Sequence, residues 1–264
     1  MVIGRIPYLN CEPFQLAFEG TPFRFVTLPP RQLGQMAEEG VVDAGLMATA
    51  DFVRLDDRFQ LAGPYCIAAR REVRSVLLLC TRPPDALHDA EVIVTDDSST
   101  SALLLRMLLE QAHGVRRPRY VRAADRPDAH TADARLVIGD EALRARAAGF
   151  PGTPYVMDLA FEWWQWTGLP MVFAVWAVRN TIAPTERAAL RDALETSLTR
   201  FAGGADATIA SQRAPEIGMT PEDALAYLRL LTYRLGDAEA RGLAAFRTRL
   251  ETLDVAGLAR PLGR

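Results

Sequence analysis

Arg5-Ile6-Pro7-Tyr8-Leu9-Asn10-Cys11-Glu12-Pro13-Phe14 is the stretch around which the rest of the chain is organised. The apolar run over residues 1–6 predicts a strand, which Pro7 ends because proline has no N–H to give to a sheet. The hydroxyl of Tyr8 and the carboxamide of Asn10 therefore follow the first strand of a predicted α/β sheet, at the carboxyl end where such sheets bind ligands. A turn in which Asn10 caps its own backbone is the alternative, and both interpretations remain open at this point.

The composition is that of an ordinary globular protein. The chain has 264 residues, 49% of them hydrophobic and 24% charged, which is enough to bury a core in one large domain or two small ones. The net charge of −3 argues against nucleic acid or an anionic membrane as a partner. No apolar run is long enough to span a bilayer and no signal-peptide pattern precedes the first strand, so we expect a cytoplasmic protein. Nothing in the sequence specifies an oligomeric state.

Cysteine and histidine usage gives no sign of a metal site. Cys11, Cys66 and Cys80 are scattered and form no Cys-x-x-Cys pair, which is typical of reduced thiols in a cytosol. The three histidines, at positions 88, 113 and 130, fit no ligand spacing. We therefore predict no metal site.

Strand and helix patterns alternate along the first half of the chain, which favours a parallel sheet with right-handed crossovers. We predict two α/β lobes, one formed by residues 1–78 and 175–264 and the other inserted at 79–174. The chain is expected to cross between the lobes near Cys80 and Val175, which would form a hinge beside a ligand-binding cleft. The C-terminal tail has an all-helical pattern without catalytic groups and is predicted to cover the first sheet.

Four consecutive hydroxyl residues, Ser98-Ser99-Thr100-Ser101, precede a predicted helix over residues 102–113. One hydroxyl suffices to cap a helix. Several hydroxyls beside unpaired backbone N–H groups can hold an anion without a cationic side chain. We favour carboxylate or phosphate binding by this cluster over plain capping, with Asn10 on the opposite side of the cleft.

Polar groups interrupt two other apolar stretches. Ser75 lies in a predicted strand over residues 73–80, where it either faces solvent on an edge strand or serves a ligand. Gly139 follows a predicted strand at 135–138 and allows close backbone approach. Asp140 is predicted mainly as a helix N-cap, with a role as general base or as a partner for a ligand hydroxyl as the alternative.

Several segments stand out as a set: Arg5 to Phe14 as quoted above, Val42-Asp43-Ala44-Gly45-Leu46, Val73-Arg74-Ser75-Val76-Leu77-Leu78, Ser99-Thr100-Ser101, Val137-Ile138-Gly139-Asp140 and Trp166-Thr167-Gly168-Leu169-Pro170. In this order they resemble the chorismate dehydratase family, which performs the first step of the futalosine route to menaquinone. The resemblance covers residues 1–180, and the helical tail is similar only in character.

The resemblance implies a two-lobed type II periplasmic-binding-protein fold used as a cytosolic enzyme, in agreement with the two predicted lobes. It implies a cofactor-independent hydro-lyase that removes water from chorismate to give 3-[(1-carboxyvinyl)oxy]benzoate. One alternative is the sister enzyme of the route, 1,4-dihydroxy-6-naphthoate synthase, whose first loop has a Pro-Asn-Asp-type pattern in place of Tyr8-Leu9-Asn10 and which relies on a histidine. The other alternative is a cytosolic solute-binding protein that performs no chemistry.

The family motifs imply that Asn10 and Ser75 are the catalytic residues, closest to the reacting carbons of a dicarboxylate substrate. The residues expected to bind this substrate are Tyr8, Ser99, Thr100, Ser101, Gly139 and Asp140. The base that takes the ring proton is either Asp140 or the enolpyruvyl carboxylate of the substrate itself. We favour the second, because the motif residues are neutral hydrogen-bond donors.

Overall fold

The computed structural model describes residues 1–126 and 132–253. Most of a polar stretch at 125–133, which the sequence predicts to be a loop containing His130, lies outside the described residues. Residues 254–264, which the prediction assigns to the first lobe, also lie outside them.

The described residues form two sets of elements. The strands are β1 (Val2–Arg5), β2 (Arg24–Thr27), β3 (Ala44–Ala48), β4 (Phe59–Ala69), β5 (Val76–Cys80), β6 (Glu91–Val94), β7 (Arg119–Arg122), β8 (Ala134–Ile138), β9 (Tyr155–Asp158), β10 (Met171–Arg179) and β11 (Thr232–Arg234). The helices are α1 (Pro30–Glu38), α2 (Thr49–Arg54), α3 (Thr100–Arg106), α4 (Gly139–Ala147), α5 (Leu159–Thr167), α6 (Pro184–Arg200), α7 (Asp206–Ile217), α8 (Pro221–Leu230) and α9 (Asp237–Thr252).

The strands form two mixed sheets, one in each lobe. The first has the order β11-β4-β10-β3-β1-β2 and the second the order β7-β6-β8-β5-β9. The predicted parallel pairing holds for β1 with β2 and β3, and for β6 with β7 and β8. In contrast, β10, which brings the chain back from the second lobe, runs antiparallel to both β3 and β4, and β5 runs antiparallel to β8 and β9.

Strand membership locates the two chain crossings. The first sheet uses strands up to Ala69 and takes the chain back at Met171, whereas all strands of the second lie within residues 76–158. We therefore propose lobe boundaries in the segments 70–75 and 168–170, a few residues before the crossings predicted from sequence.

Asp158 anchors the first of these crossings. Its carboxylate caps α5 by accepting the backbone N–H of Ala160 at 3.0 Å and that of Phe161 at 3.2 Å. It also accepts the backbone N–H groups of Val73 and Arg74, the latter at 2.7 Å. One partly buried carboxylate thus fixes the segment that leads into β5 against the start of α5.

The C-terminal tail is not all helical, so this part of the prediction was wrong. After α8 the chain becomes extended, and β11 pairs antiparallel with β4 at the edge of the first sheet. Tyr233 of β11 is buried and packs edge-to-face against Phe14 and Phe201. Burial of this ring on the sheet favours a strand, although the preceding leucines continue the spacing of a helix.

Helix α9 packs over the second crossing. A Cβ built on Gly242 of α9 would come within 2.1 Å of the carbonyl oxygen of Pro170, so the helix lies directly against the backbone there. The guanidinium of Arg249 stacks over Trp163 and Trp166 of α5, with its carbon 4.4 Å from the second ring centre. The last described helix therefore contacts both the second crossing and α5.

Candidate active site

A cleft of about 570 Å³, including its mouth, lies between the two lobes. Its walls are apolar apart from a small group of side chains that can form hydrogen bonds. The polar residues among those that line it are Tyr8, Asn10, Cys11, Ser75, Ser98, Thr100 and Ser101. No charged side chain is among the lining residues that the structure describes.

The first loop presents Asn10 to this cleft. A 3₁₀ helix over Leu9–Phe14 follows β1, and its first turn closes with the backbone N–H of Cys11 donating to the carbonyl of Tyr8 at 2.9 Å. The Asn10 side chain does not cap its own backbone. Its Oδ1 accepts a hydrogen bond from the Cys11 thiol at 3.3 Å.

Gly139 and Tyr8 form one wall together. Gly139 adopts a left-handed φ of 56°, and a Cβ there would lie 2.8 Å from the Tyr8 ring. Glycine is therefore required both by the backbone conformation and by the packed aromatic ring. The backbone N–H of Gly139 already donates to the carbonyl of Ser75 at 2.8 Å, so this glycine shapes the wall. Burial, followed by the charge of Asp97, raises the pKa of Tyr8 and keeps its hydroxyl protonated.

Ser75 is 1% exposed and lies at the end of the first crossing, just before β5. The solvent-facing, edge-strand interpretation was wrong, because β5 is hydrogen-bonded to β8 on one side and β9 on the other. The Ser75 hydroxyl oxygen instead accepts a hydrogen bond from Tyr227 at 2.8 Å.

Tyr227 is the polar residue at this site that the sequence analysis missed. It lies on α8, in the tail that was predicted only to cover the first sheet, and it is 1% exposed. Burial is the main cause that raises its pKa. A polar ring on the same helical face as Ala224 and Leu228 was the one signal in the sequence.

The hydroxyl groups at the start of α3 make different contacts. Ser98 caps the helix, since its Oγ accepts the backbone N–H of Ser101 at 3.0 Å. Thr100 Oγ1 accepts the backbone N–H of Ala50 at 3.0 Å and still borders the cleft. For the Ser101 hydroxyl, which also borders the cleft, no hydrogen-bond partner is found in the described part of the chain. Its donor is thus available to a ligand.

Ser99 is directed away from the cleft. Its hydroxyl donates to a carboxylate oxygen of Asp51 at 2.7 Å, and both residues are buried. Burial raises the pKa of Asp51, while the hydrogen bond from Ser99 lowers it. Of the three predicted anion-binding residues, the structure therefore brings Thr100 and Ser101 to the cleft and turns Ser99 toward the first lobe.

Asp140 lies at the start of α4, but its side chain makes no capping hydrogen bond, so the N-cap prediction was wrong. Its carboxylate instead accepts the backbone N–H of Leu9 at 3.0 Å and a guanidinium N–H of Arg213 at 3.3 Å. Arg213 also donates to Glu12 and to the carbonyl of Pro7. Burial raises the pKa of Asp140, and the Leu9 N–H and Arg213 oppose this effect. This carboxylate joins the second lobe to the first loop.

These contacts join the two lobes. The side chains of Ser99, Thr100 and Asp140 in the second lobe form hydrogen bonds to the first, and the carbonyl of Asp97 accepts the backbone N–H of Arg31 at 3.0 Å. Ser75, in the crossing segment, accepts a hydrogen bond from Tyr227 of the first lobe. In residues 1–126 and 132–253 there is no cluster of three His, Cys, Asp or Glu side chains suited to a metal ion. Within the same ranges, no helix has the length and apolar character needed to cross a membrane.

Comparison with known proteins relates this architecture to an enzyme family and to a class of binding proteins. A family model described as menaquinone biosynthesis matches residues 1–252. A chorismate dehydratase from Thermus thermophilus is 33% identical, with 93% of each chain covered.

Two solved structures show the fold. A Candida albicans protein with the generic periplasmic-binding-protein fold superposes with a TM-score of 0.67 at 11% identity, covering 96% of this chain and 90% of that protein. The periplasmic aliphatic sulphonate binding protein of Escherichia coli does so with a TM-score of 0.63 at 18% identity, covering 100% and 94%. The predicted two-lobed periplasmic-binding-protein fold is thereby confirmed.

Proposed function

Because this chain belongs to the menaquinone biosynthesis family, we propose that it is a hydro-lyase that removes water from chorismate to give 3-[(1-carboxyvinyl)oxy]benzoate. The observation that carries the proposal is the chemical character of the cleft, whose polar lining consists of neutral groups contributed by both lobes. The similarity to the Thermus thermophilus chorismate dehydratase supports the same reaction.

The reaction requires that the substrate is held in one orientation beside hydrogen-bond donors. The C3–H bond of the ring breaks, and its electron pair is delocalised through the ring alkene toward the ring carboxylate. The C4 hydroxyl then leaves, gaining a proton to become water, and the ring becomes aromatic. Donors held in place before the reaction stabilise the charge that develops on the carboxylate and on the departing oxygen.

We assign the chemistry to Asn10 and Ser75, which donate hydrogen bonds to the departing hydroxyl and to the developing charge. Thr100 and Ser101 hold one substrate carboxylate, with the hydroxyl of Tyr8 on the facing wall. Neutral donors at the start of a helix suffice to hold an anion.

The proton from C3 is taken by the enolpyruvyl carboxylate of the substrate itself. The alternative base, Asp140, already accepts two hydrogen bonds between the lobes, from Leu9 and Arg213. The replacement Asp140→Asn removes the charge that pairs with Arg213 and is expected to weaken lobe closure, with a higher KM, while turnover continues. Complete loss of turnover with unchanged chorismate binding would assign the base to Asp140.

We further propose that the reaction takes place in the cytoplasm. Cys11, Cys66 and Cys80 are all buried and unpaired. Thiols of this kind suit a reducing compartment.

The test is incubation of the purified protein with chorismate and identification of the products by mass and ultraviolet spectrum. The wild type is expected to form the enolpyruvyl-oxybenzoate faster than chorismate breaks down alone. Asn10→Ala and Ser75→Ala are each expected to lower kcat by about 10²–10³, the usual loss for one preorganised donor. The matched controls are Asn180→Ala and Ser211→Ala, which change exposed side chains away from the cleft and should leave kcat unchanged.

Other outcomes separate the alternatives. Unchanged chorismate would refute the dehydratase, and turnover of the cyclic futalosine substrate would then identify the naphthoate-forming enzyme. Recovery of a bound ligand without any chemical change would indicate a binding protein.

A further inference from the structure

We propose that Tyr227 is a positioning residue for the proposed dehydration, in which its buried hydroxyl orients the Ser75 side chain so that Ser75 donates a hydrogen bond into the cleft. This inference rests on the proposed function. It adds a residue from the C-terminal tail, far in sequence from the motifs that the resemblance covers.

The hydrogen bond between Tyr227 and Ser75 has a defined direction in the structure. A tyrosine hydroxyl has one proton to donate, and that proton goes to the oxygen of Ser75 at 2.8 Å.

This direction fixes what Ser75 presents to a ligand. Since the Ser75 oxygen already accepts from Tyr227, its own proton is left to donate elsewhere, and Ser75 borders the cleft. Hydrogen bonds that run in a chain from Tyr227 through Ser75 to a ligand polarise and strengthen one another.

The position of Tyr227 is itself fixed by packing. Its ring is 1% exposed in the main core, on a helix whose first turn is capped by Thr220 through the backbone N–H of Asp223 at 3.1 Å. An ion pair between Arg229 and Asp206, at 2.7 Å, ties this helix to α7. A rigid ring therefore holds the hydroxyl against Ser75 at the end of the first chain crossing.

Tyr227 acts by orientation and does not exchange a proton. Burial raises the pKa of its hydroxyl, and its partner Ser75 is neutral. Loss of the hydroxyl should therefore reduce the rate of the chemical step and have little effect on substrate affinity.

The test is Tyr227→Phe, which keeps the buried ring and removes only the hydroxyl. We expect kcat to fall about tenfold to hundredfold, as for loss of one buried hydrogen-bond partner, with KM changed less than about threefold. The matched control is Tyr233→Phe, because Tyr233 is another buried tyrosine of the tail and its hydroxyl has no hydrogen-bond partner among the described residues. This variant should keep the wild-type kcat.

A double-mutant cycle with Ser75→Ala separates positioning from general destabilisation. If Tyr227 acts through Ser75, then Tyr227→Phe in the Ser75→Ala background lowers kcat by clearly less than in the wild type. Multiplicative losses, or a Tyr227→Phe variant as active as Tyr233→Phe, would overturn the inference. Absence of chorismate turnover by the wild type would instead overturn the proposed function, and this role of Tyr227 with it.

Discussion

Replacing Gly139 with alanine should both destabilise the protein and disturb the cleft, and the size of the effect follows from two separate features. The backbone at Gly139 has a φ of 56°, which costs an L-residue roughly 1–2 kcal/mol. In addition, the new methyl group would lie 2.8 Å from the Tyr8 ring, and crowding of this kind typically adds about 1–3 kcal/mol. We expect the crowding to move Tyr8, so that kcat/KM for chorismate falls with the free energy of unfolding.

The matched control is Gly149→Ala, also in the second lobe. Gly149 has a φ of 73°, but nothing lies within 4 Å of a Cβ there. Urea unfolding should show a loss of about 1–2 kcal/mol for this variant, from the backbone alone, and chorismate turnover should be unchanged.

The contribution of Tyr8 can be isolated with a double variant. When Tyr8 is replaced by alanine, the space beside residue 139 opens. Gly139→Ala should then cost no more in unfolding free energy than Gly149→Ala does in the wild type. Equal losses for the two glycine variants in the wild-type background would refute the reasoning, because they would mean that the packed ring contributes nothing.

Two further predictions concern the hinge and the response to pH. Gly242→Ala should displace α9 or lower the free energy of unfolding by at least about 1–3 kcal/mol, since the new Cβ would lie 2.1 Å from the Pro170 carbonyl oxygen. The control Gly203→Ala has open space around it and should not crowd a neighbour. Comparable urea midpoints for the two variants would contradict this packing. His113 forms a hydrogen bond with Glu162 at 3.1 Å, and this bond raises the His113 pKa above 6.5. The pair therefore stabilises the fold fully below pH 6.5, and this stabilisation is lost as the pH rises through the raised pKa. Glu162→Gln should reduce the loss of unfolding free energy, measured with urea, as the pH rises through the His113 pKa. The same pH dependence in this variant as in the wild type would show that the pair does not cause the loss.

The fold was largely predictable because its signals are local. Strand and helix spacings and the prolines that end the first strand all act within a few residues. The extended β11 was missed because the leucine spacing that ends α8 continues past Leu230, and only contact with the first sheet decides against another helical turn.

The candidate site was predictable only in part, for a related reason. Asn10 and Ser75 belong to recognisable segments, but Tyr227, which donates a hydrogen bond to Ser75, is 152 residues from it in sequence. Asp140 gave a convincing capping pattern, yet its partner Leu9 is 131 residues away and draws the carboxylate out of the capping position. Contacts between the lobes join residues that are far apart in sequence, so no periodic residue pattern predicts them.

The neutral lining of the cleft has a consequence for how the site responds to ionic strength. Dissolved salt screens the attraction between separated charges, but it has little effect on hydrogen bonds made at contact with uncharged donors. A pocket that holds a dianion with arginines would lose affinity as salt is added and would also attract sulfate and phosphate. A pocket that uses hydroxyls and a carboxamide keeps its affinity across a wide range of salt concentration, and it selects its ligand by the spacing and shape of the two carboxylates.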